Sequence, residues 1–134
     1  MYMFESCSSL TTLDLGNKFD TSNVTSMSNM FYNCGYVAME GLNLGNKFDI
    51  SSVTSSFGGM FNGCGNIALT HIDLSGSSLD GNINTQTQLY GMFSGFKTNV
   101  TVHVKDQAAK NFLINYKSQM SSSIPNNNIV VGSI

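Results

Sequence analysis

Met30-Phe31-Tyr32-Asn33-Cys34 decides how this chain folds, because the phrase returns along the sequence. Met3-Phe4 leads to Cys7, Met60-Phe61 to Cys64 and Met92-Phe93 to Phe96, with the closing residue always four after the Met. Between the copies runs a second phrase, Leu13-Asp14-Leu15, Leu42-Asn43-Leu44 and Ile72-Asp73-Leu74, at intervals of 29 and 30 residues. A third, Leu15-Gly16-Asn17-Lys18-Phe19-Asp20, reappears letter for letter as Leu44-Gly45-Asn46-Lys47-Phe48-Asp49. Self-similarity at a period of roughly 20 to 50 residues marks a solenoid, in which each coil buries its apolar side chains only against its neighbours.

Within one period the pattern changes twice. Leu13 and Leu15 alternate with Thr12, Asp14 and Gly16, the period of a short half-buried strand, and Gly16-Asn17 then signals a turn. Val24, Met27, Met30 and Phe31 follow at gaps of three, three and one, which predicts a short helical or 3-10 arc with one face toward the column. The units expected are a partial repeat over 1–9 and repeats over about 10–34, 35–64 and 65–98. Extra residues fall between Cys34 and Leu42 and between Val53 and Met60, where loops absorb them at little cost.

From Asn99 the texture differs. Val100, Val102 and Val104 alternate with polar residues as a strand, and Asp106 is placed to cap a helix carrying Ala109, Phe112, Leu113 and Tyr116 on one side. Pro125 and the Asn run 126–128 predict a turn, and Ile129-Val130-Val131 a last strand. A capping module over 99–134 is therefore expected, since the end of a solenoid exposes apolar area and unpaired backbone.

Composition narrows the function classes. Six Lys and no Arg, within a formal net charge of -2, leave no basic stripe for phosphates, so nucleic acid is not an expected partner. Ser, Thr and Asn supply 45 of the 134 residues, giving a surface of hydroxyls and amides that hydrogen-bonds without long-range steering. Cys7, Cys34 and Cys64 share one repeat position, which predicts stacked thiols rather than a disulfide framework or a zinc site. No signal peptide is visible at the start, which falls inside a repeat, and no apolar run is long enough to insert in a membrane.

The phrases Leu10-Thr11-Thr12-Leu13-Asp14-Leu15-Gly16, Asp20-Thr21-Ser22-Asn23-Val24-Thr25-Ser26-Met27 and Met30-Phe31-Tyr32-Asn33-Cys34 resemble the repeat of BspA-like leucine-rich repeat proteins, also similar to mycoplasma surface lipoprotein repeats. The resemblance covers residues 3 to 96, and the ending resembles the module that closes such arrays. It implies an α/β solenoid of leucine-rich-repeat type: one short strand and one arc per repeat, a parallel sheet, and a strand-helix-strand C-terminal cap. It also implies an extracellular or cell-surface protein of a bacterium that acts in adhesion or recognition. It brings no catalytic residues and no cofactor.

With Leu13, Leu42 and Ile72 pointing inward, Thr12, Gly41 and His71 form one outward column and Asp14, Asn43 and Asp73 another. That face is the candidate contact surface, with Thr12, Asp14, Asn43, His71 and Asp73 as its binding residues and a host or matrix protein or glycan as partner. The alternative is a structural spacer in a larger surface protein, with no ligand of its own. His71 and Asp73 have no third ligand or nucleophile at an identifiable spacing, so no enzyme is expected. Asp20, Asp49 and Asp80 lack the Gly-rich rhythm of calcium rolls and are expected to accept backbone N–H groups at turns. Asn23-Val24-Thr25 and Asn99-Val100-Thr101 match the glycosylation pattern, and Tyr32 and Tyr90 are candidates for the rim.

Overall fold

The computed structural model describes residues 2–55, 57–77, 79 and 89–133. Strands β1 (Thr12–Asp14), β2 (Gly41–Asn43), β3 (His71–Leu74), β4 (Thr101–Val104) and β5 (Ile129–Val131) form one parallel sheet in sequence order. Each strand returns beside its predecessor after one coil, which is the leucine-rich-repeat-like solenoid expected from the period. The register aligns Leu13, Leu42, Ile72, Val102 and Ile129 as one inward column. All but the end member Leu13 are fully buried, and the strands are short because only two inward side chains per coil reach the core.

The opposite wall is a run of overlapping turns rather than a helix. In the Met30–Cys34 arc, the N–H groups of Met30, Tyr32 and Cys34 bond three residues back, to Met27, Asn29 and Phe31, at 3.2, 3.1 and 3.0 Å. The alternate N–H groups of Asn29, Phe31 and Asn33 reach the next coil, at Gly58, Met60 and Asn62, at 3.1, 2.9 and 2.9 Å. Every second amide thus closes a turn and every other one forms a rung between coils, so the wall is a second ladder facing the sheet. The left-handed φ of Asn29 and Asn33, +54° and +52°, makes this possible. Asn tolerates that region better than most side chains, and glycine takes it without steric cost. A β-carbon at Gly63, the next member of the Asn33 column, would overlap the Asn33 Oδ1, so that coil needs glycine for space as well.

Between sheet and arc lies one continuous apolar column. Phe4, Phe31, Phe61 and Phe93 stack with ring centroids 5.4, 5.4 and 5.2 Å apart, within the range of favourable aromatic pairs. Phe96 takes the Cys position in its coil and meets Phe61 and Phe93 edge-on at 6.1 and 5.7 Å. Thr21 is the buried polar exception: its Oγ1 donates to the Asp49 carbonyl and accepts from the Asp49 N–H, at 2.8 and 2.7 Å.

The C-terminal part closes the column. Asp106 caps α1 (Gln107–Asn115) by accepting from the Ala109 N–H at 2.8 Å, and Ala109 and Leu113 enter the core. Past α1 the chain makes one more arc, in which the Gln119 and Met120 carbonyls accept from Gly91 and Phe93 at 3.2 and 3.0 Å. Met120 is therefore a further member of the Met column. A 3-10 turn at Asn126–Asn128 then leads into β5.

Cys34 and Cys64 are buried in the column and Cys7 is exposed. Burial, and secondarily the neighbouring Cys7, pushes the Cys34 thiol up from an ordinary 9.0 to about 11. Burial, then Cys34, pushes Cys64 up as well. Because thiolate is the reactive form, Cys7 is expected to react with a disulfide reagent in the native protein, and Cys34 and Cys64 only on unfolding. Equal native reactivity at all positions would refute the column. A raised folded pKa contributes stability that is complete below the unfolded value and lost as pH rises through the folded one. The melting midpoint is therefore expected to fall between about pH 9 and 11, and less steeply in Cys34→Ala. Identical slopes would show that Cys34 plays no part.

Candidate binding face

The strand register sets the candidate residues side by side. Thr12, Gly41, His71 and Thr101 align in one outward column and Asp14, Asn43, Asp73 and His103 in the next. Together Thr12, Asp14, Gly41, Asn43, His71 and Asp73 line a shallow groove of about 420 Å³. A second groove of about 490 Å³ shares Asp14, Asn43 and Asp73 and continues over the turns at Gly16, Gly45 and Gly76. Gly41 is the floor between Thr12 and His71. A β-carbon there would meet only the His71 Cδ2, at an ordinary 3.7 Å.

The Asp14/Asn43/Asp73 column is held by its own turns. Each residue's Oδ1 accepts a backbone N–H two residues on: Gly16 at 2.8 Å, Gly45 at 2.8 Å and Ser75 at 2.9 Å. Asp73 Oδ1 also accepts from the Ser75 hydroxyl. Such local bonds fix the side-chain torsions, leaving the second carboxylate oxygens of Asp14 and Asp73 and the Asn43 amide nitrogen to face outward. The face thus presents a preset row of acceptor, amide and acceptor.

His103, expected as an isolated strand residue, belongs to this face. It lies beside Asp73, packs edge-on to the His71 ring at a centroid distance of 6.2 Å, and its Nδ1 donates to the Gly132 carbonyl at 3.1 Å. The period foretells it: Ile72 and Asp73 advanced by 30 residues are Val102 and His103. Extending the repeat into the valine strand would have joined β4 to the same surface.

Asp20 and Asp49 accept from the Ser22 and Ser51 N–H groups at 2.9 and 2.7 Å, the turn role expected of them. Hydrogen bonds from the Ser22 side chain and backbone hold the Asp20 carboxyl below its ordinary range. Asp80 lies outside the described residues. Among the described residues no group of three or more His, Cys, Asp or Glu is arranged to hold a metal ion. Nor is any helix among them long and apolar enough to cross a membrane. Asn23 and Asn99 are exposed, as is Tyr90, whereas Tyr32 is half-buried against the arc.

Residues 1–126 match the family described as Mycoplasma protein of unknown function, DUF285, and the chain belongs to that family. No curated protein and no solved structure matches. The family match overturns the expected membership of the BspA-like leucine-rich repeat family. The shared phrases are mostly core and turn positions, which report the architecture of a coil more than its ancestry. The fold itself is that of a general protein-interaction scaffold.

Proposed function

We propose that this member of the DUF285 family is a non-catalytic binding module, displayed at a cell surface, that recognises a host protein or glycan through the outer face of its sheet. The observation that carries the proposal is the preset column of Asp14, Asn43 and Asp73 beside the open floor at Gly41. Rigid strands holding polar groups in fixed geometry limit the ordering cost of recognition. Thr12 and His71 border the floor and would set the width a ligand meets. The exterior, rich in hydroxyls and amides and poor in charge, suits hydrogen-bonded partners such as glycans.

The test is binding of the purified chain to a panel of matrix proteins, mucins and glycans, beside a triple Asp14→Ala, Asn43→Ala, Asp73→Ala variant and Gly41→Leu. Saturable binding is expected, weakened at least about tenfold by each variant, a loss of roughly 1.4 kcal/mol. Gly41→Leu fills the groove without touching the turn bonds, so it separates lost recognition from a loosened turn. A saturable partner that binds both folded variants as tightly as the original would move recognition off this face. No binding across the panel would favour a spacer.

A further inference from the structure

The two ends of the column differ in what they offer a neighbour. Along the arc ladder, each coil accepts from the one before it through alternate carbonyls: Met30 and Tyr32 accept from Phe4 and Ser6 at 2.9 and 2.8 Å. One coil earlier the equivalent carbonyls are those of Met3 and Glu5, and among the described residues neither has a partner. Beside them β1 is an edge strand, and Phe4, Leu13, Leu15, Phe19 and Val24 are only partly buried although their counterparts one coil on are fully buried. Phe4 has one ring face on Phe31, and Met3 is 49% exposed. This end has the chemistry of a coil–coil interface with one side missing.

The polarity of that side selects its occupant. Two copies of the chain meeting end to end here would set the Met3 and Glu5 carbonyls against carbonyls. A copy stacked head to tail fares no better. In its last arc the position equivalent to Phe93 is Ser121, whose N–H is already bonded to the Ser118 carbonyl at 3.1 Å and whose side chain has no ring for Phe4. What fits is an arc with free alternate N–H groups, an aromatic residue and a strand running parallel to β1. We infer that the N-terminal end of the column is a docking surface for one further coil of this same repeat chemistry, not for a second copy of the chain.

Cys7 reports on the surface, because it is the exposed member of a thiol column whose next members are buried. A duplicate of residues 30–58 joined ahead of Tyr2 would supply such a coil, its arc donors facing Met3 and Glu5 and its strand beside β1. The alkylation rate at Cys7, mapped by mass spectrometry, is expected to fall about 100-fold, as follows when a site reacts only through rare local opening. A scrambled segment of the same composition should leave the rate unchanged. Protection of Cys34 and Cys64 in both proteins verifies that the original coils are folded. Cys7 as reactive with the duplicate as with the scrambled segment would overturn the inference. So would a dimer of the unextended chain, seen by sedimentation, in which Cys7 is protected.

Discussion

Gly45→Ala is expected to destabilise the protein by roughly 3 to 5 kcal/mol, a large part of the total stability of a domain this size. Two costs combine at this position. The backbone sits at φ +75°, a region that charges a side chain about 1 to 3 kcal/mol, and an added β-carbon would fall inside the Gly16 carbonyl oxygen of the preceding coil. That oxygen is backbone in an adjacent turn and has no flexible way to retreat. Gly16 isolates the first cost from the second. It has nearly the same conformation, φ +65°, with nothing within 4 Å of the added carbon. Gly16→Ala should therefore cost only about 1 to 2 kcal/mol. Urea midpoints of the two variants decide the matter, and equal losses would mean that the coils are not in the close register described.

Phe61→Ala should cost a further class of interaction, about 3 to 5 kcal/mol. The ring is fully buried, with Phe31 and Phe93 on its two faces at 5.4 and 5.2 Å and Phe96 at its edge, so truncation leaves a cavity that three other rings border. Nothing nearby is free to collapse into it, because each bordering ring is fixed in a coil of its own. Phe4→Ala removes the same group from the end of the stack, where one face is open, and is expected to cost roughly 1 to 2 kcal/mol. Thermal melts of both variants test this gradient. A Phe4→Ala loss matching that of Phe61→Ala would show that the end of the column is already covered.

The strands were legible because two signals coincide on them, a period near 30 residues and an alternation of two. Leu42 and Ile72 could face only inward once Asp14, Asn43 and Asp73 were placed outward. The arc was less legible. Gaps of three, three and one between Val24, Met27, Met30 and Phe31 suit a short helix and a chain of tight turns equally, since both return a side chain to one face every third residue. Asn29 and Asn33, with Gly59 and Gly63 one coil on, distinguish the two, because left-handed residues recurring every four positions break a helix. Met120 was hidden for another reason: α1 stands between β4 and the last arc, so the usual spacing from strand to Met is lost. His103 was hidden only by the change of texture at Asn99, although its interval from Asp73 keeps the period.

The alternating amides of the arc impose a parity on the sequence. A single residue inserted between Met30 and Cys34 would exchange every inward-turning N–H with every rung-forming one, turning the ladder's donors away from the next coil. Two residues would restore the phase. Elsewhere in the coil no such constraint operates, and successive Met positions at 3, 30, 60 and 92 are separated by 27, 30 and 32 residues while each Met-to-closing-residue step stays at four. Coil length is thus free to drift in this architecture, but the phase of five residues is not, and lengthening of a repeat is confined to stretches whose amides keep no count.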